Sequence, residues 1–597
     1  MTFENVPSLT RLFFDQAQRQ AAQPFLWRKQ GGAWASQSYG SVAEDIRRLA
    51  AGLVALGVQP GDRVALISEN RPEWLIADLA IMSLGGISVP AFATNTVEDN
   101  RHVLTHSGAK GLIISNGSIA KRVLPAALQA PELRFLISME GLDLAQRLPI
   151  DAYDWQAAMA AGQSVAAAEV DRRIDASHRE DVCCFIYTSG TGGVPKGVML
   201  THGSILCNMQ GAYKLLLEVG LRSETFLSFL PLSHSYEHTA GQFLPISIGA
   251  QIYYAESVEK LVENMAEVRP TIMTAVPRLY EAVHQKILRG LKSAKPLQQR
   301  LFDLTLRLGR KRYEQRGSLP FKERLLDLIC DLTVRRKVRA RFGGRLKAFV
   351  SGGAALNYEI GVFFLSLGVR LLQGYGQTEC SPVITCNRPN SVRIDTVGPV
   401  FDGLDVKIAE DGEILVRGEA VMKGYWRDEE ATAKVIRDGW LHTGDIGEFD
   451  VDGNLKITDR KKDIIVLSGG DNVSPARVEG FLLLQPEIGQ AMAHGDKHPH
   501  LVALIVPDPD FAAEWARQHD TGADPLALST NTAFQKIIGQ AVDRVNAGLS
   551  AIERIRRFAI LPEGFTIDNA MLTPSLKIRR HKIRERWGSM LERLYEK

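Results

Sequence analysis

A chain of 597 residues is long enough for two or more domains of roughly 100–200 residues each. Its 45% hydrophobic and 23% charged content is ordinary for a globular protein, and a net charge of +3 gives no overall attraction to nucleic acid. No stretch of about eighteen apolar residues occurs, and the opening residues, with Glu4 among them, contain no apolar signal core, so neither a spanning helix nor a leader is expected. Six cysteines (Cys183, Cys184, Cys207, Cys330, Cys380, Cys386) lack metal-ligand spacing and form no CxxC pair, which points to reduced thiols in a cytoplasmic compartment. In chain order, residues 41–59 place Ile46, Leu49, Leu53 and Leu56 at helical spacing. Strands are expected at Arg63–Ser68, Ile87–Phe92 and Gly111–Ser115, with a helix opening at Pro72 and running through Leu84. This alternation predicts α/β layers around a largely parallel sheet.

The apolar run Cys183–Tyr187 reads as another buried strand, and a helix-like stretch begins at Thr201. Between them lie Thr188, Ser189, Gly190, Thr191, Gly192, Gly193 and Lys196. Glycines let the backbone approach a ligand, while three hydroxyls and a lysine donate to an anion; the combination reads as a phosphate cradle. It is not a G-x-x-x-x-G-K-[ST] loop, because Gly197 follows Lys196. The stretch from Tyr187 to Val198 resembles the phosphate loop of the adenylate-forming superfamily, which includes acyl-CoA synthetases, luciferases and peptide-synthetase adenylation domains. Gly192 stands where that family usually has a second threonine.

Further along, Phe229–His238 crowds aromatic and polar groups at a strand end, as a pocket wall would. The resemblance points to His234, between nucleotide and acyl group, ahead of His238. Residues 284–347 are basic with interleaved Leu and Phe, the pattern of basic amphipathic helices. Such helices either present solvated faces or lie on an anionic lipid surface; without aromatic stacking platforms, nucleic acid fits poorly. An insertion of this kind resembles the longer fatty-acyl-CoA synthetases.

Strand Leu346–Val350 leads into Gly352-Gly353-Ala354, and strand Val369–Leu372 into Gly374-Tyr375-Gly376-Gln377-Thr378-Glu379. Two such strand-end loops can flank a planar base between Gly353-Ala354 and the Tyr375 ring, and Glu379 offers a hard oxygen to Mg²⁺. In the family this motif puts tyrosine on adenine, threonine on the α-phosphate and glutamate on magnesium, with Thr188 the second metal ligand. Gly412–Tyr425 alternates as antiparallel strands of a small barrel. The run Asp438–Lys462 resembles the fatty-acyl-CoA synthetase motif, whose ribose contacts fall on Asp445 and Arg460. Its hinge falls on Lys462, and Ser468–Val473 matches the stretch beyond it, with Leu467 replacing a common lysine. Lys577, in Leu572–Lys577, takes the place of the family's catalytic lysine.

The resemblance spans about residues 40–585. It implies an α/β fold: a large N-terminal domain of layered sheets and helices plus a small barrel (1–461), binding ATP and acyl group, and a small mobile α/β C-terminal domain (462–597). The implied activity is ATP- and Mg²⁺-dependent conversion of a fatty acid, expected to be long-chain, to acyl-AMP and then to the CoA thioester. Lys577 and His234 would serve catalysis. The nucleotide would meet Thr188, Ser189, Gly190, Thr191, Gly193, Lys196, Gly353, Ala354, Gly374, Tyr375, Gly376, Thr378, Asp445, Arg460 and Lys577. Alternatives are loading of a carrier protein, ligation of medium-chain or aryl acids, and a non-catalytic nucleotide- or lipid-binding relative. The expected partners are fatty acid, ATP and CoA, in the cytoplasm, with the inner face of a membrane as a peripheral contact.

Overall fold

Short runs in which every side chain is apolar, such as Val64–Ile67 and Leu112–Ile114, can be covered only by a sheet packed on both faces. In the computed structural model, which describes residues 3–142, 148–188, 194–315, 319–461, 463–573 and 577–596, both runs lie inside an eight-stranded sheet. Its order is Gly424–Tyr425, Lys196–Thr201, Val182–Thr188, Ile87–Ala91, Arg63–Ile67, Gly111–Ile114, Phe135–Ser138 and Asp151–Asp154. Pairing is parallel from Val182–Thr188 outward through Asp151–Asp154. A second eight-stranded sheet carries Ile272–Ala275, Ala348–Ser351 and Leu371–Gly376 as parallel neighbours.

The expected helices are present as Tyr39–Ala55, Pro72–Met82 and His202–Val219. Pro72–Met82 is buried on every side apart from Glu73, as a helix apolar all round must be. Its Trp74 and Leu75 belong to a core that also takes Val64 and Ile113 from one sheet and Leu26 and Ile252 from the other. Removing the Trp74 ring would cost about 3–5 kcal/mol.

Two local readings are corrected. The residues after the Thr188 loop do not run straight into a helix: Lys196–Thr201 first returns as a strand, antiparallel to Val182–Thr188, with Thr188 opposite Lys196. The helix N-terminus at His202 is buried and its N–H groups are taken by the Thr201 and Ser204 caps. Tyr425 also leaves the expected barrel strand; Gly424–Tyr425 pairs instead with Lys196–Thr201. The barrel itself is a five-stranded antiparallel sheet, Leu404–Ile408 to Leu455–Arg460, curled into a half-barrel.

The basic stretch folds as helices Pro277–Lys292, Pro296–Glu314, Phe321–Cys330 and Arg336–Arg341, the last two joined by a π-helical turn. Near the C-terminus a three-stranded sheet (Ile488–His494, Leu501–Pro507, Ile555–Ile560) is covered on both faces. Leu501, Ala503 and Ile505 face a core with Phe534 and Ile538, while Val502 and Leu504 meet Ile583 and Leu591 of helix Arg580–Arg593, the period-two alternation of a strand. All six cysteines are free. Among the described residues no helix is long and apolar enough to cross a membrane.

Candidate active site

Parallel strands end in loops on one edge of a sheet, and ligands bind where those carboxyl ends open a crevice. Here Thr188, Ala275, Ser351 and Gly376 end four strands whose following loops line one cleft of about 2310 Å³. His234, Gly353, Ala354, Gly374, Tyr375, Gly376, Thr378, Glu379, Asp445, Arg460 and Lys577 all contribute to its wall. Ser189, Gly190, Thr191, Gly193 and Lys462 lie outside the described residues.

Gly376 is required by packing: a Cβ there would sit 1.8 Å from the Pro382 carbonyl oxygen. That close approach pairs Leu371–Gly376 with Val383–Cys386 and sets Tyr375 on the cleft. The Tyr375 hydroxyl donates to Asp445 Oδ2 at 2.6 Å, and burial together with the Asp445 charge raises its pKa well above that of an ordinary phenol. Asp445 is buried, and across the half-barrel strands it faces Arg460, whose Nε lies 3.1 Å from Oδ1. Each carboxylate oxygen keeps acceptor capacity for a vicinal diol.

Glu379 Oε1 accepts a hydrogen bond from the Tyr425 hydroxyl at 2.8 Å, while Oε2 makes none among the described residues. With the Thr188 hydroxyl on the same cleft, this is a hard-oxygen donor set, which fits Mg²⁺. Lys196 lies beside this group, 4.9 Å from the centre of the Tyr425 ring and 3.2 Å from Asp428 Oδ2. Tyr425 and Asp428 were not singled out from the sequence. They stand more than 220 positions from Lys196 in the chain, and no local spacing connects them.

Thr573 and Lys577 hold each other: Lys577 N–H donates to Thr573 Oγ1 at 2.9 Å, and Thr573 N–H to the Lys577 carbonyl at 2.8 Å. The half-buried Lys577 ammonium has its pKa lowered to about 8, by burial first and then by Arg460, while Asp445 and Glu379 act in the opposite sense. His234 is lowered to about 4, by burial and then by the Lys577 charge, so its ring is neutral at physiological pH. Its Nδ1 accepts from the Tyr236 N–H at 3.2 Å, which leaves Nε2 available. His238, in contrast, is buried off the cleft with Nε2 2.9 Å from Asp78 Oδ2.

The C-terminal segment reaches the cleft through direct contacts. Asn357 Nδ2 donates to the Gly480 carbonyl at 3.1 Å, and Arg289 pairs with Asp508 at 2.9 Å and with Asp510. On its other side the cavity continues into an apolar arm between helix His202–Val219 and the second sheet. Leu215, Leu216 and Leu244 line it, with Phe226 and Ile272 from near the strand starts. Thr274 and Ser351 stand at the strand ends, so the arm follows the sheet from its carboxyl edge back toward its amino edge.

The family described as "AMP-binding enzyme" matches residues 13–426, and "AMP-binding enzyme C-terminal domain" matches residues 462–597. A long-chain-fatty-acid–CoA ligase of Mycobacterium bovis is 37% identical over 95% of this chain and 93% of its own. Long-chain-fatty-acid–CoA ligase 6 of Homo sapiens is 30% identical over 97% and 84%. Among solved structures, the adenylation domain of a carboxylate reductase from Mycobacterium chelonae superposes with a TM-score of 0.77 at 22% identity, covering 100% of this chain and 92% of that one. An anthranilate CoA ligase in complex with anthranoyl-AMP gives 0.73 at 20%, covering 99% of each. With both segments matched in order and relatives aligned over nearly the whole length, this chain belongs to the AMP-binding, adenylate-forming enzymes, in the fatty-acyl-CoA synthetase family.

Proposed function

We propose that the protein activates a long-chain fatty acid with ATP to an acyl-adenylate and transfers the acyl group to CoA, releasing pyrophosphate and AMP. The observation that carries this reading is the joining, in one cleft, of a polar strand-end rim holding Lys577, Glu379 and the Asp445–Arg460 pair to an apolar arm running beneath the sheet. Each buried methylene contributes about 0.8 kcal/mol, so such an arm favours extended alkyl chains. The relatives named above are long-chain-fatty-acid–CoA ligases, which supports the same substrate class.

In this reading the carboxylate attacks the α-phosphorus in line and pyrophosphate departs; the protein's share is positioning and charge neutralisation. Asp445 and Arg460 hold the ribose, and the adenine lies between Tyr375 and Gly353-Ala354. Lys577 bridges the carboxylate and α-phosphate oxygens, with Thr378 on the same phosphate. Lys196, with Ser189, Gly190, Thr191 and Gly193, cradles the leaving phosphates, and the Gly374–Gly376 backbone lies along the nucleotide. His234 separates nucleotide from acyl group as a neutral donor. Glu379 and Thr188 would hold Mg²⁺, which would supply charge neutralisation to the phosphates. For the second step the unit 462–597 turns about Lys462 away from 1–461, withdrawing Lys577 and admitting the CoA thiol. A thiol of pKa about 8.5 is partly ionised already, so no dedicated base is required.

The same reading includes contact with an anionic bilayer. Phe321, Leu325, Leu328 and Leu332 form an exposed stripe at spacings of four, three and four, with Phe321 84% exposed, and Lys322, Arg324, Arg336 and Lys337 are exposed around it. Apolar insertion beside basic residues, each worth about 1 kcal/mol near anionic lipid, favours peripheral binding.

Pyrophosphate release measured over fatty acids of graded length, with and without CoA, tests the proposal. Release that rises with chain length and a CoA-dependent thioester product are expected. Release with short or aryl acids only, or adenylate that never reaches CoA, would overturn it.

A further inference from the structure

Helix Arg580–Arg593 and the hairpin Ile488–His494/Leu501–Pro507 meet at a place the reaction does not use, and three ligand-type side chains converge there. His494 ends its strand buried, 6% exposed, and its ring nitrogens hydrogen-bond to none of the described residues. It lines a cavity of about 400 Å³ whose other walls are His581, Arg584, Glu585, Gly588, Leu591 and Glu592. His498, from the hairpin loop, stacks on the Tyr595 ring at 3.8 Å and 10°, and its Nε2 lies 3.6 Å from Glu592 Oε2. The Tyr595 hydroxyl donates to the His494 and His500 carbonyls, which ties both ends of the loop to the chain end.

We propose that His494, His498 and Glu592 form a binding site for one zinc-class divalent cation. Their ligand atoms lie within 4.8 Å of one another. Zinc bonds of about 2.0–2.2 Å to His and carboxylate require donor separations of roughly 3.5 Å, so a small rotation of the part-exposed His498 and exposed Glu592 side chains completes three corners of a tetrahedron and leaves the fourth for water. The His494 ring borders the cavity, where its nitrogens can meet a cation. Two imidazoles and one carboxylate select a zinc-class ion over Mg²⁺, which wants an octahedron of oxygens. The bound ion would pin helix Arg580–Arg593, which begins three residues after Lys577, to the sheet that carries it.

The test uses the full chain, stripped with chelator and titrated with Zn²⁺ alone by calorimetry, beside H498A and E592Q. The wild type should take up one tight equivalent that a hundredfold excess of Mg²⁺ does not displace. Each variant should lose at least tenfold in affinity, and the rise in melting temperature on adding Zn²⁺ should vanish with it. No tight equivalent in the wild type, or unchanged affinity in both variants, overturns the site. Both substitutions are at solvent-reaching positions, and equal melting temperatures of the metal-free proteins would show that they fold alike.

Discussion

Asp445 and Arg460 stand directly opposite each other on adjacent antiparallel strands, Nε 3.1 Å from Oδ1, while the Tyr375 hydroxyl takes the other carboxylate oxygen at 2.6 Å. The two contacts fix the orientation of the carboxylate, which the proposed function places on the ribose diol. Asp445→Asn keeps the shape and removes the charge. A charge-assisted hydrogen bond contributes about 1.5–3 kcal/mol, so KM for ATP should rise roughly ten- to a hundredfold while KM for the fatty acid stays put. Pyrophosphate release at varied ATP measures it; an unchanged KM for ATP would remove Asp445 from the ribose site.

Lys577→Ala should lower the adenylation rate by about 10²–10³, by analogy with loss of one oxyanion donor, and leave conversion of supplied acyl-adenylate and CoA intact. Equal loss in both half-reactions would assign Lys577 to folding instead of the first step.

The same lysine sets a pH limit. Its pKa is lowered to about 8, and the charged form is the one that can bridge two anions. Below pH 8 the ammonium persists; above it the proton is lost, so kcat/KM for pyrophosphate release without CoA should fall tenfold per pH unit on the alkaline side. Lys577→Arg should abolish that alkaline limb at reduced overall rate. An identical limb in the arginine variant would place the titration elsewhere.

Arg289 reaches from helix Pro277–Lys292 to Asp508, which also caps helix Pro509–Gln518 through the Phe511 N–H, and to Asp510. Part-exposed ion pairs of this sort contribute about 0.2–1 kcal/mol each. Arg289→Ala should therefore slow adenylation several-fold at low salt, by loosening the docked arrangement, and leave thioester formation from acyl-adenylate at least as fast. Rapid-quench measurement of the two steps separates them, and a selective defect in the second step would contradict a docking role for the Arg289 pairs.

Flotation with vesicles containing phosphatidylserine checks the apolar stripe. Phe321→Glu with Leu325→Glu should cut the bound fraction at least tenfold without changing the melting temperature, since both side chains are exposed. Persistence of binding would move the contact off helix Phe321–Cys330.

The strand ends near Thr188 and Ser351 are legible because short apolar runs closed by glycines and hydroxyls announce a buried strand and its turn; Gln373–Gly376, expected in the loop after Val369–Leu372, instead continues strand Leu371–Gly376, its glycines admitting the close partner strand Val383–Cys386. Lys196–Thr201 escaped notice because its six residues run into the Thr201 cap of the next helix, and the two signals merge. The grouping of Lys196, Glu379, Tyr425 and Asp428 could not be read locally, since it arises where Gly424–Tyr425 joins a sheet built mostly from the first 200 residues. His234 and His238 are equally aromatic and polar as letters. The resemblance ranks His234 first, but the physical reason, the pairing of His238 with Asp78 in a helix some 160 positions earlier, is not local in the sequence.

Helix Arg580–Arg593 both follows the Lys577 loop and roofs one face of the three-stranded sheet, and the chain just beyond it accepts hydrogen bonds from Arg557 at the Leu594 and Glu596 carbonyls. Arg557→Ala, which removes both contacts, should therefore loosen the helix that follows Lys577 and lower the rate of pyrophosphate formation.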